Sequence, residues 1–85
     1  MATDQIAPSQ DMLESVKFHT RDNMQRMEAL FTFMLALRCL TCEALEQGYS
    51  NADLRSMRYY QQKINSLMGE ARSTNHHVAA LIHHL

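Results

Sequence analysis

The chain has 85 residues and a formal charge of −1, with two glycines, one proline and two cysteines. A chain of this length forms one domain at most and buries only about 60% of its unfolded surface, so it is marginally stable unless it associates or is cross-linked. Eight Lys and Arg residues are spread among nine acidic ones, which argues against nucleic acid as a partner because a phosphate-binding surface needs clustered cations.

The first predicted helix follows a short segment without periodicity. Residues 1–8 have no helical pattern and include the only proline, so we predict a disordered N-terminal lead. Ser9 is suited to cap the helix that follows. The apolar pattern then continues to Gly48, a residue type that favours the position just after a helix C-terminus. These signals predict a first helix over about 9–47.

The polar segment Lys17–Asn23 leaves two interpretations of this helix. Phe18 is the only large apolar residue in the segment, and several of its neighbours are able to cap a new helix. No proline or glycine occurs there to supply a cause for a break. We favour one continuous helix, with a short helix, a kink and a longer helix as the alternative.

The second predicted helix carries a heptad seam. Ser50 is placed to cap it after a turn at 48–50, with Asp53 near the helix start. Apolar or half-apolar residues then recur at alternating steps of three and four, the spacing of a helix that packs along another helix. The members of this seam are Met57, Tyr60, Ile64, Leu67, Ala71, Thr74, Val78 and Leu81, with Leu85 next in line.

Together the two patterns predict an all-α fold without strands. Residues 9–85 are expected to form a single antiparallel helical hairpin, with the second helix over about 51–84. A tight turn brings Glu43 and Glu46 within reach of Arg55 and Arg58. Exposed ion pairs between them would contribute about 0–1 kcal/mol each and favour the register.

The first helix has more apolar surface than one neighbour can cover. Between Met24 and Leu45 its apolar side chains extend over about 220 degrees of the helix circumference, against roughly 100 degrees for a helix that packs on one side. Symmetric self-association is the commonest remedy, so we predict a homodimer that forms a four-helix bundle with the first helices at its centre. The predicted protein-interface residues are Met24, Met27, Leu30, Phe31, Phe33, Met34, Leu35 and Leu37.

The same apolar run is too short to cross a membrane. The segment 29–37 reaches about 14 Å as a helix, against roughly 30 Å of hydrocarbon. No secretory signal precedes the two cysteines, which are too close in sequence to close a useful loop, so we expect a cytoplasmic protein.

Cys39 and Cys42 have the spacing of half a zinc or redox site. A zinc site needs four ligands, and thiol activation usually needs a helix N-terminus or a nearby cation, whereas this pair is predicted in mid-helix. We interpret the two as semi-buried thiols on the flank of the apolar face. A four-cysteine site shared by two copies, or a redox switch, is the alternative.

Four of the five histidines lie in the last ten residues, and the hairpin places His19 opposite Ala80, at the same end. The pairs that share a helix face are seven residues apart, about 10.5 Å along the axis, which is too far to bind one ion. We interpret the histidines as a solvated polar face. A metal site or a pH-responsive end is the alternative.

No catalytic triad, pair of carboxylates or glycine-rich phosphate loop is present, so we predict no enzymatic activity, catalytic residue, cofactor, metal or small-molecule substrate. The favoured function is a regulator or inhibitor that binds a larger, unidentified protein through an apolar helical face. One alternative is a secretion-type chaperone or a self-assembling helical-hairpin subunit. A second is a histidine-dependent metal or pH sensor.

Overall fold

The computed structural model describes residues 10–85, which form two helices joined by a tight turn. Helix α1 spans Gln10–Gln47 and helix α2 spans Asn51–His83. The two helices pack against each other, and no strand occurs in residues 10–85. The predicted all-α hairpin is therefore confirmed, whereas the predicted lead of residues 1–8 and the cap at Ser9 lie outside the described part of the chain.

The turn is built from the residues that the sequence suggested. Gly48 has φ +83, in the left-handed region that glycine enters without steric cost, and its N–H donates to the carbonyl of Ala44 at 3.0 Å. Ser50 caps α2: its hydroxyl accepts from the Asp53 N–H at 3.2 Å, and the Asp53 carboxylate accepts from the Ser50 N–H at 2.8 Å. This reciprocal capping box fixes where α2 begins.

The predicted seam of α2 is the row of residues that faces α1. All eight members from Met57 to Leu81 are buried or half-buried, and Ile64 is only 6% exposed. The seam stops there, because α2 ends at His83 and Leu85 lies beyond it with 44% of its surface exposed. Leu85 is thus wrongly placed by the sequence pattern.

Helix α1 has a matching row, which we call the inner seam. Its members recur at steps of three and four and are all buried or half-buried: Met12, Val16, His19, Asn23, Arg26, Leu30, Phe33, Leu37, Leu40 and Ala44. Leu30 is 7% exposed, and within residues 10–85 Leu30 and Ile64 are the only buried hydrophobic residues. The apolar core is therefore the single interface between the two helices, and its most buried residues lie near the middle of the hairpin.

A polar network replaces apolar packing in the N-terminal half of the inner seam. Arg26, whose side chain is 17% exposed, donates to Asp22 at 2.8 Å, to Asn23 at 3.2 Å and to Thr74 on α2 at 3.0 Å. Its Nε lies 3.5 Å from a carboxylate oxygen of Glu70, also on α2. Because the guanidinium bridges the helices, this network fixes their register as well as their contact.

The network also explains why α1 is continuous. Lys17–Asn23 is helical throughout, so the kinked alternative does not form. Two of its polar residues face α2: Asn23 donates to the carbonyl of Ala71 at 3.4 Å, and the rings of His19 and His77 lie 4.6 Å apart, edge to face. The polar segment thus packs on a neighbour instead of capping a new helix.

The ion pairs predicted beside the turn do not form. Both ion pairs among residues 10–85 are made by Arg26, whereas Glu43, Glu46, Arg55 and Arg58 are all exposed to solvent. The reason is that exposed charges gain little from pairing in water and lie off the faces that meet.

Candidate protein interface

The eight predicted interface residues divide between two faces of α1. Leu30, Phe33 and Leu37 belong to the inner seam and pack against α2. The other five are exposed, and we call them the outer stripe: Met24 at 61%, Met27 at 49%, Phe31 at 64%, Met34 at 50% and Leu35 at 48%. The hairpin therefore covers three of the eight and leaves five in contact with water.

Phe33 shows how the inner residues are used within the hairpin. Its ring centroid lies 6.0 Å from that of Tyr60 and 6.4 Å from that of Tyr59, in tilted and edge-to-face arrangements. The Lys63 ammonium lies 5.7 Å from the centroid of Tyr59 and extends this cluster. Phe33 is thus occupied by its own chain and differs in role from Phe31, two residues earlier.

The outer stripe borders an open groove between the helices, with a volume of about 440 Å³. Three members of the stripe form its apolar wall, and Val78 of α2 lies on the other side. Polar side chains complete the lining, which consists of Thr20, Asn23, Met24, Met27, Glu28, Phe31, Asn75 and Val78. An apolar wall with polar groups at its border is suited to the side chains of an amphipathic helix.

A second groove, of about 210 Å³, lies next to the turn. Its lining residues are Thr41, Ala44, Leu45, Tyr49, Leu54 and Met57. Leu45 is 83% exposed, the highest value among the exposed large hydrophobic residues of 10–85. Thr20 and Met27 in the first groove, and Thr41 in the second, share one heptad phase of α1, so both grooves lie on the same side of the hairpin.

The predicted interface residues do not include Leu45 or the α2 side chain Val78, which line the two grooves. A heptad count along α1 would have found Leu45, because it lies two heptads after Phe31. The heptad pattern places Val78 in the seam that faces α1. No feature of the sequence indicates that the same side chain also lines the groove.

The two cysteines are exposed and free. The expectation of semi-buried thiols is wrong, because Cys39 and Cys42 lie on the side of α1 that is turned away from α2. Thr41, and neither cysteine, lines the groove beside the turn together with Met57.

The histidines do not converge on one point. His19 meets His77, within one helical turn of the predicted Ala80, and the rings of His83 and His84 lie 6.0 Å apart. Within residues 10–85, no group of three or more His, Cys, Asp or Glu side chains is arranged to hold a metal ion. The same residues contain no helix with an apolar stretch long enough to cross a bilayer.

Comparisons with protein-family models, with curated proteins and with solved structures give no match to this chain. The functional assignment therefore depends on the exposed surface of the hairpin.

Proposed function

We propose that the chain is a small, non-enzymatic protein-interaction module that binds a larger protein through the outer stripe of α1 and thereby regulates or inhibits it. The observation that carries this proposal is the exposure of five large apolar side chains, each at 48–64%, on one face of a single helix. A contiguous apolar patch with polar neighbours is typical of protein-interaction sites.

The stripe favours a helical partner. Its members follow the i, i+3, i+4, i+7 spacing that meets an amphipathic helix, and the 440 Å³ groove beside it has room for a row of side chains. Covering a half-exposed Phe or Met contributes about 1 kcal/mol each, because full burial contributes about 1.5–3 kcal/mol. Five such residues contribute about 5 kcal/mol, close to the lower end of the cost of association of about 4–15 kcal/mol, so the remaining affinity must come from further contacts with the partner.

Methionine supplies three of the five side chains, Met24, Met27 and Met34. Its unbranched, polarisable side chain adapts to partners of different shape, as regulators that bind more than one surface require. Lys, Glu and Asp, which are depleted at the centre of interfaces, are absent from the stripe.

The proposal includes self-association. Two hairpins that cover each other's outer stripe would form a four-helix bundle with both α1 helices at its centre. The proposed compartment is the cytoplasm, because Cys39 and Cys42 are free, exposed thiols and such thiols persist where the environment is reducing.

A matched pair of substitutions tests the proposal. Phe31 and Phe18 lie on the same helix and are both 64% exposed, but Phe18 lies outside the outer stripe. We expect Phe31→Asp to abolish capture of partner proteins by a tagged copy, since a buried carboxylate opposes the contact. Phe18→Asp should capture them like the unmodified chain.

Circular dichroism of both variants verifies that the helices are intact. Equal capture by the two variants would show that the outer stripe is not the binding surface, and the interaction proposal would then be wrong.

A further inference from the structure

α1 carries a second heptad row beside the inner seam. Each member of this row follows an inner-seam residue by one position, and every member from position 13 to position 45 is exposed, whereas every inner-seam residue is buried or half-buried. We call this row the outer seam. Its apolar members are Leu13, Met24, Met27, Phe31, Met34 and Leu45.

An offset of one residue places the two seams about 100 degrees apart around α1. In a square bundle of four helices, each helix has its two neighbours in directions about 90 degrees apart. α1 is therefore shaped to contact α2 on one side and one further helix on the other. A helix with both seams in use has the geometry of a corner in a four-helix bundle.

The outer seam is complementary to itself when two copies run antiparallel about position 29. In that register Leu13 meets Leu45 of the other copy, Met24 meets Met34, and Met27 meets Phe31. The remaining layers pair Lys17 with Thr41, and Thr20 with Arg38. Every apolar residue of the outer seam thus faces an apolar residue of the other copy, and Lys17 and Arg38 each face a threonine.

The polar layers do not oppose this pairing. The Thr41 hydroxyl already donates to the carbonyl of Leu37 at 2.8 Å, so its methyl group is free to face a neighbour without leaving a polar group unpaired. Lys17 and Arg38 lie toward the ends of the row, and long cationic side chains can cover apolar surface while the charge stays in water.

The contact area is also adequate. An α1 strip from position 13 to position 45 is about 48 Å long and about 10 Å wide, so two copies bury roughly 1,000 Å², the lower limit for a specific interface. Contacts between the neighbouring α2 helices add to this area. α2 itself offers no alternative row, because the positions beside its seam are mainly polar, as at Gln61, Asn65 and Arg72.

We infer that the partner of the outer seam is a second copy of this chain, packed α1 against α1 in an antiparallel register centred on position 29. The inference rests on the self-association in the proposed function, and it adds the antiparallel register and the residues that meet. A larger protein then binds the outer stripe by displacing the second copy.

Distances between spin labels on the two copies test the register. Positions 32, 39 and 46 are exposed and share one heptad phase, so labels there have the same lateral offset. The labels are placed on native Cys39 in Cys42→Ser, and on Thr32→Cys and Glu46→Cys in a variant with both native cysteines replaced by serine. In the inferred dimer their separations along the bundle axis are about 9, 30 and 51 Å, because each residue from the centre adds about 3 Å.

The possible outcomes are distinct. Equal separations at all three positions would indicate a parallel dimer, and absence of any distance between copies would indicate a monomer; either result overturns the inference. Loss of partner capture in Phe31→Asp together with such a result would leave the proposed binding of a larger protein standing. Distances as inferred, together with unchanged capture in Phe31→Asp, would overturn the proposed function and leave the dimer.

Glu28 provides an independent measurement. It lies beside the outer seam next to position 29, so the two copies place their Glu28 carboxylates near each other. Glu28→Gln should tighten dimerisation about two- to fivefold at low salt and have less effect at high salt, since exposed like charges repel weakly and are screened. An unchanged dissociation constant would overturn this register.

Discussion

α1 and α2 are helices of 38 and 33 residues that contact each other along most of their length, yet they use their surfaces differently. α2 places its apolar residues in one seam and leaves isolated apolar groups such as Met68 and Ile82 elsewhere. α1 has an inner seam against α2 and an exposed row one residue further on. A single seam accounts for one neighbour, so the second row of α1 is the feature that the hairpin fold does not explain.

The largest expected effect comes from separating the two faces of α1 at adjacent positions. Leu30 is 7% exposed and Phe31 is 64% exposed. In a Met24→Asp background, in which a charge in the outer seam should prevent association, Leu30→Ala should lower the free energy of unfolding by about 2–4 kcal/mol, because it leaves a cavity against α2. Phe31→Ala in the same background should cost less than about 1 kcal/mol. Urea unfolding followed by circular dichroism measures both.

Similar losses for these two variants would mean that the hairpin itself uses both faces. The contrast between an occupied and a vacant face of α1 would then be wrong.

A smaller effect is expected at the polar part of the inner seam. Arg26→Ala removes the bonds to Asp22, Asn23 and Thr74 and should lower the free energy of unfolding by about 1–2 kcal/mol. The cost stays moderate because Asp22 and Glu70 are 41% and 59% exposed, so water can solvate their carboxylates. Chemical denaturation gives the value, and sedimentation should find self-association unchanged.

Arg26→Met is the control for this prediction, since it keeps an aliphatic side chain of similar length. It should retain more stability than Arg26→Ala. A loss as large as that of the alanine variant would show that packing of the aliphatic stem contributes little at this site.

The smallest expected effect tests the outward side of α2. A Cβ added at Gly69 meets no atom within 4 Å, so Gly69→Ala should raise the free energy of unfolding by about 0.5–1 kcal/mol through helix propensity. Thermal melts measure the change, and partner capture should be unaffected. Gly48→Ala is the opposite control, because φ +83 strains any side chain there. Weaker capture by Gly69→Ala would place a binding surface on α2 as well.

The sequence predicted the structure best where one residue pattern corresponds to one contact between helices or one helix end. The α2 seam, the turn at Gly48 and the cap at Ser50 were predicted because heptad spacing and capping chemistry are local properties. The sequence did not distinguish the inner seam of α1 from the outer seam. A helical-wheel projection shows a wide apolar arc but does not show which part of it packs against α2. His19, Asn23 and Arg26 were not recognised as packing residues, since their contacts depend on groups that α2 supplies.

The scarcity of buried side chains has a consequence for how the molecule exists in a cell. With Leu30 and Ile64 the only buried residues among those described, a lone hairpin has little reserve against unfolding. Any protein that covers α1 shifts the folding equilibrium by mass action, so we expect the chain to persist in proportion to the supply of its companion. Proteolysis of uncomplexed copies would then tie the abundance of this chain to that of its proposed partner.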